Sequence, residues 1–254
     1  MPAAKADELV PLIPEVAGGY PRNFIRQAVC EFRFPTLMWI GGAKPPEKFV
    51  NSLRKKYPIS ETVNEVTLGA GESSFAGHAH LFKTSNGGWT VSLKQSSVSL
   101  ETTRYKSYAE YRDRLTEVIA ASQPVIDTEF FTRIGLRYIN VLQTAEPLTD
   151  WIRQSLISTF DGQGFKGVSD FAGRLAMSAE DGGCLLQHGI RLKADDDGNP
   201  TNTPEYIIDI DAYRVDVPVK EAMPAIDAAH RQAFSLFSWA MGPKAKERLQ
   251  EPKN

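Results

Sequence analysis

Apolar and polar residues alternate with period two along much of the chain, and four stretches switch to helical spacing. Residues 25–34 carry Ala28, Cys30, Phe32 and Phe34 on one parity and Gln27, Glu31 and Arg33 on the other. That alternation predicts a half-buried strand. Pro45 and Pro46 then suit a helix start, and Phe49, Val50, Leu53 and Tyr57 follow at helical spacing before Pro58. Short strands are predicted next, at 62–68 and 75–84. Ser85-Asn86-Gly87-Gly88 is a hairpin signal. Trp89, Val91 and Leu93, then Val98 and Leu100, alternate with polar residues. A helix is expected over 107–122, with Tyr108, Tyr111, Leu115, Val118 and Ile119 as its stripe and Pro124 as its end.

The order then recurs. A strand is predicted at 131–142, with Ile134, Leu136 and Tyr138 opposite Arg133 and Arg137. Pro147 opens a short helix bearing Leu148, Trp151, Ile152 and Leu156. Strands follow at about 171–179, 184–193 and 205–217. A final helix from about Glu221 should bury Ile226, Ala229, Ala233, Phe237 and Ala240. Phe32-Arg33-Phe34 matches Leu136-Arg137-Tyr138 at an offset of 104 residues, and Phe49 matches Trp151 at 102. The pattern therefore predicts an internal duplication. The expected division is an irregular arm over 1–21, a first half over 22–125, a second over 126–242 and a tail over 243–254. Phe49 and Trp151 should fill equivalent buried places.

Strands in runs, with helices at fixed places, predict an α+β protein rather than alternating α/β. The simplest closure is one curved antiparallel sheet with helices on one face. This element order resembles the saddle of the TATA-binding-protein fold class. A helix-grip sheet wrapped around the final helix is the alternative.

Composition narrows the class without adding a function. The chain has 254 residues, 42% hydrophobic and 24% charged, with a net charge of −2. That excludes disordered and collagen-like classes. No run approaches the roughly 18 apolar residues of a spanning helix, so no membrane role is expected. Asp7 and Glu8 and the lack of a long apolar core make the first residues unlike a secretory signal. Cys30 and Cys184 lie in apolar strand-like runs and read as reduced core thiols of a cytoplasmic protein.

Charge on the strands is less ordinary. If the apolar parities face the helices, the other parities carry Arg33, Lys94, Arg133, Arg137, Arg174, Arg191 and Lys193 against Glu31, Glu101, Asp209 and Asp211. Guanidinium forks suit phosphate and carboxylate. The expected site is thus an anion-binding sheet face built on Arg33, Arg133, Arg137, Arg174, Arg191, Glu31, Asp209 and Asp211. Cross-strand pairing of those arginines with acids is the alternative. Nucleic acid, a nucleotide or an acidic protein are the expected partners.

Other motifs weigh less. Asp209-x-Asp211 puts two carboxylates on one side of a strand, which with Glu31 would allow a metal-dependent hydrolase or nuclease as an alternative. His78-x-His80 is half of a zinc pattern with no helical HExxH beside it, and His188 and His230 are distant. Asp195-Asp196-Asp197-Gly198-Asn199-Pro200 has proline where a calcium loop needs glycine, so it reads as a hairpin loop. Gly162-Gln163-Gly164-Phe165-Lys166-Gly167 spells GxGxxG but leads into a strand, and Gly69-x-Gly71 also reads as a loop. No nucleophile-elbow or P-loop motif is present, and the sequence calls for no metal and no cofactor.

Four segments together resemble a sporadically distributed bacterial family of about this length and of unknown function. They are the early aromatic-basic strand, Arg133-Ile134-Gly135-Leu136-Arg137-Tyr138-Ile139-Asn140, Ile208-Asp209-Ile210-Asp211, and the closing helix with Ala229-His230 and Phe234. The likeness covers nearly the whole chain, least well over the arm. It implies no catalytic residue. The family's patchy occurrence implies an accessory role, as a partner protein in a toxin–antitoxin or defence system. The residues themselves favour a non-enzymatic binding or regulatory protein.

Overall fold

The computed structural model of the protein describes residues 4–14, 19–68, 73–194 and 200–252. The strands are β1 (Ile25–Arg33), β2 (Ile59–Leu68), β3 (Ser73–Lys83), β4 (Trp89–Lys94), β5 (Ser97–Thr102), β6 (Phe130–Gln143), β7 (Asp170–Ala179), β8 (Gly182–Ala194) and β9 (Pro200–Pro218). The helices are α1 (Glu47–Leu53), α2 (Tyr108–Ile126), α3 (Leu148–Trp151), α4 (Gln154–Ile157), α5 (Ala222–Ala240) and α6 (Pro243–Gln250). The chain is α+β, and its strands form one open antiparallel sheet in the order β2-β3-β4-β5-β1-β6-β9-β8-β7. It divides into two compact units. A central unit comprises Gln27–Leu136 and Arg214–Asp227, and a terminal unit comprises Met1–Arg26, Arg137–Tyr213 and Ala228–Asn254.

In the central unit, β1 pairs with β5 so that Cys30 faces Leu100 and Phe32 faces Val98, all four buried. The intervening Glu31 and Arg33 stand opposite Ser99 and Ser97. This is the period-two pattern made physical, since a one-residue slip would expose the whole apolar set. The hairpin at 85–88 is closed by Asn86, whose Oδ1 accepts from the Gly88 N–H, with Gly87 at φ 65°. Ser107 caps α2 by accepting from the Glu110 N–H. Tyr111, Leu115, Val118 and Ile119 are buried as expected. The expected end of α2 at Pro124 is corrected: the helix runs to Ile126. Proline in the last turn removes only one intrahelical bond. Asp127, left-handed at φ 39°, closes the helix by donating its N–H to the Gln123 carbonyl.

In the terminal unit, Pro147 does precede a helix, but the single expected helix is two short ones. The chain turns extended at Ile152 after one turn. That break alters which side chains are buried. Ile152 is fully buried, whereas Trp151 is only half-buried, with its indole N–H donated to Glu146. The expectation that Trp151 matches the buried Phe49 is thus corrected. In α5, Ile226, Ala229, Ala233 and Ala240 are buried, but Leu236 takes the place expected for Phe237, which is half-buried. Gln232, Ser235 and Ser238 of α5 are buried too. They meet the N-terminal arm: Gln232 donates to the Ala6 carbonyl, Ser235 accepts from the Ile13 N–H, and Ser238 lies 3.4 Å from the Tyr20 hydroxyl. The GxGxxG segment is a loop before β7, with all three glycines at positive φ. Residues 243–250, within the expected tail, form α6 and bury Ala245 and Leu249. The segments at 69–72 and 195–199 lie outside the described residues.

Candidate functional site

Strand β1 places Glu31 and Arg33 two residues apart, on the parity opposite Cys30 and Phe32. Arg33 Nε donates to Glu31 Oε2 at 2.6 Å. From β6, Arg133 Nη1 comes within 3.8 Å of the same oxygen. One carboxylate thus serves two guanidiniums in the central unit. Gly135 explains the pose of Arg133. A Cβ at 135 would stand 2.1 Å from Arg133 Nη1 and 2.7 Å from Cζ, so the guanidinium lies along the strand over the bare glycine. The Arg33 side chain remains 54% exposed in spite of its pairing.

In the terminal unit, Arg137 makes a fork to Asp209, Nε to Oδ1 at 2.8 Å and Nη2 to Oδ2 at 2.5 Å. Asp209 and Asp211 share one parity of β9, between buried Ile208, Ile210 and Ala212. Both acids favour the charged guanidinium, Asp209 by its hydrogen bonds and Asp211 through space. Arg191 on β8 reaches a different acid, Glu205, at 3.5 Å. Glu205 also takes a fork from Arg26, at 3.0 and 2.5 Å, and a hydrogen bond from Gln143 at 2.7 Å. Its carboxylate is fully buried, while the Arg191 side chain stays 55% exposed. These donors hold the Glu205 carboxyl down to about 2, the Arg26 hydrogen bonds contributing most and burial opposing them. Arg174, opposite Gln187 in the β7–β8 register, has no ion pair among the described residues.

Of the expected arginines and acids, the structure pairs Glu31 with Arg33 and Arg133, and Asp209 with Arg137, while Arg191 turns to Glu205. Glu205, Arg26 and Gln143 are absent from the expected set. Their signal in the sequence is faint. Glu205 shares parity with Asp209 and Asp211 but begins its strand just after a polar loop, and Arg26 precedes the clear alternation of β1. Lys94, expected as an outward cation, is ion-paired with Glu65. The side chain of Lys193 lies outside the described residues.

The histidines have structural partners. His80 is buried, with Nε2 donating to the Ile40 carbonyl at 3.1 Å and Nδ1 accepting from Thr62. Burial lowers its pKa. His78 donates to the Gly41 carbonyl at 3.0 Å. The pair thus ties the turn at Met38–Gly41 onto β3. His188 meets the Tyr206 hydroxyl at 2.8 Å and His230 meets that of Tyr138 at 3.1 Å. Among the described residues no three His, Cys, Asp or Glu side chains are grouped so as to hold a metal ion. Cys30 and Cys184 are buried and form no disulfide. No described helix is long and apolar enough to cross a membrane.

No protein-family model matches the chain, and no curated protein matches it.

Proposed function

We propose that the protein is a binding or regulatory protein that takes an anionic polymer or an acidic protein partner through its strand arginines. The observation that carries this reading is that these guanidiniums are aligned by acids yet stay open to water: the side chains of Arg33, Arg137 and Arg191 are each about half exposed. At Glu205 two arginines, Arg26 and Arg191, face one carboxylate, so that cluster keeps a surplus positive charge. A guanidinium offers five N–H donors, and a fork to one carboxylate uses two of them. Asp209 engages Arg137 with both oxygens, which favours binding over a hydrolytic role for Asp209. The cysteines, which form no disulfide, suit a reducing, cytoplasmic setting.

The strand order supports the duplication reading. Each of β1 and β6 has its successor strands running outward on its own side, and each is followed by a helix and then by antiparallel hairpins. Under the proposal the halves are a tandem repeat forming a saddle. An experimental structure in which 22–125 and 126–242 do not superimpose sinks that part.

The test of binding is heparin and a DNA duplex titrated across a salt series. Affinity should fall steeply with salt as phosphate or sulfate contacts release counterions. The Arg133→Ala, Arg137→Ala double variant should flatten the slope by about two contacts without unfolding. A folded double variant that binds both polyanions like the parent overturns the reading.

A further inference from the structure

A cleft of about 430 Å³ opens in the terminal unit where β1 begins and β6 ends, with the Val141 N–H donated to the Phe24 carbonyl. Its volume lies in the range of small-molecule sites. Arg26 and Arg248 line it, together with Asn23, Gln143, Phe24 and Trp151. The two aromatic rings meet edge to face at a centroid distance of 6.5 Å.

We propose that this cleft binds a nucleoside monophosphate or a closely similar ring-bearing phosphate, with the phosphate between Arg26 and Arg248 and the flat ring on Trp151. Three features support it. Arg26 is anchored from behind by the buried carboxylate of Glu205, which leaves three of its five N–H donors unspent. Arg248, from α6, donates one Nη1 hydrogen to Glu251, which leaves its other donors. A tetrahedral phosphate accepts from two forks on different elements better than a planar carboxylate does.

Charge points the same way. Arg26 and Arg191 share Glu205, and Arg22 and Arg248 share Glu251. With Lys244, Glu146 and Asp150 beside Trp151 included, five cations face four carboxylates, which leaves one positive charge in excess around the cleft for an anion to meet. The Nε of Arg22 is buried without a hydrogen-bond partner, a donor left over in the same cluster. The ring site follows from Trp151, whose indole N–H is already turned to Glu146, so the half-buried face is fixed in place without being covered. The earlier misfit of Trp151, too exposed for a core residue, fits this use. The cleft shares the Glu205 cluster with the polyanion reading, and the two are told apart by their variants, Arg133→Ala with Arg137→Ala there and Arg248→Ala or Trp151→Ala here.

The test is calorimetric titration of the full chain with adenosine 5′-monophosphate, inorganic phosphate and adenosine. The nucleotide should bind at least about tenfold more tightly than either fragment, as ring stacking and phosphate contacts each contribute. Arg26→Ala strips Glu205 of its main partner and can fail to fold, so Arg248→Ala on the exposed side of α6 is the main variant. It should weaken nucleotide binding by about tenfold. Trp151→Ala should weaken the nucleotide similarly and leave inorganic phosphate unchanged. Nucleotide binding no tighter than that of phosphate, or indifferent to both variants, overturns the proposal. A parent protein that binds heparin as expected but takes up no nucleotide sinks this inference alone.

Discussion

Glu31 in the central unit and Glu205 in the terminal unit each face two guanidiniums, but they are solvated and bonded differently. The Glu205 carboxylate has no exposure and accepts a fork, an amide N–H and a second arginine. The Glu31 side chain is 28% exposed and takes one short hydrogen bond from Arg33, with Arg133 at 3.8 Å. The same pair of residue types thus gives a fixed internal anchor in one place and a loose surface contact in the other. A carboxylate out of water must have its oxygens satisfied by protein, and removal of it leaves charges stranded. One in water exchanges protein donors for water donors at little net cost.

The largest expected effect therefore comes from truncating the anchor. Glu205→Ala should lower unfolding stability by about 2–3 kcal/mol. That is below the figure for a wholly buried pair, because Arg26 and Arg191 keep access to water. Glu31→Ala should cost less than about 1 kcal/mol. Urea midpoints of the two variants decide the matter, and equal losses would mean that burial is not what separates the two sites.

Acid should separate them next. Glu205 is ordinarily a group of pKa 4.5, and in the fold it falls to about 2. A depressed carboxyl contributes stability that is present above the unfolded value and lost as pH falls through the folded one. The stability difference between the parent and Glu205→Gln should thus be constant above about pH 5.5 and shrink between pH 4.5 and 2. Burial also lowers the pKa values of His80 and His188, which removes stability as pH falls below 6.5. That loss is common to both proteins and cancels in the difference. A difference curve for Glu205→Gln that stays flat down to pH 2 would show that its carboxylate is not held by the arginines.

What could be read in the sequence follows from the same physics. The strands stand out because burial on one face imposes period two, and the β1–β5 register places Cys30, Phe32, Val98 and Leu100 where their parity put them. Helix α6 was hidden, since only Ala245 and Leu249 are buried in it and one such pair makes no stripe. The exposure of Trp151 is not legible in the sequence, because it depends on where a one-turn helix breaks, and no local pattern marks that point. Arg33, Arg133, Arg137 and Arg191 are visible as parity, and so are Glu31 and Asp209. Arg26 and Glu205 are not, because their pairing joins residues 179 positions apart. The Arg33–Glu31 pair, two residues apart on one strand, was the readable case.

The smallest effect tests the loose site itself. Gly135 has no positive φ, so alanine fits its backbone, and the obstacle is the Arg133 guanidinium lying over it. The end of an arginine side chain moves cheaply, and replacing glycine by alanine in extended backbone reduces the freedom of the unfolded chain. Gly135→Ala should change stability by no more than about 1 kcal/mol in either direction. The displaced Arg133 leaves its 3.8 Å approach to Glu31. Under the polyanion reading its charge stays on the same strand, so the salt slope of heparin binding should change by less than one contact. Chemical denaturation and the same salt series read both quantities on one sample. A stability loss above about 2 kcal/mol would mean that Arg133 is clamped in place as firmly as Arg26, and the contrast between the two glutamates would fail at its weaker member.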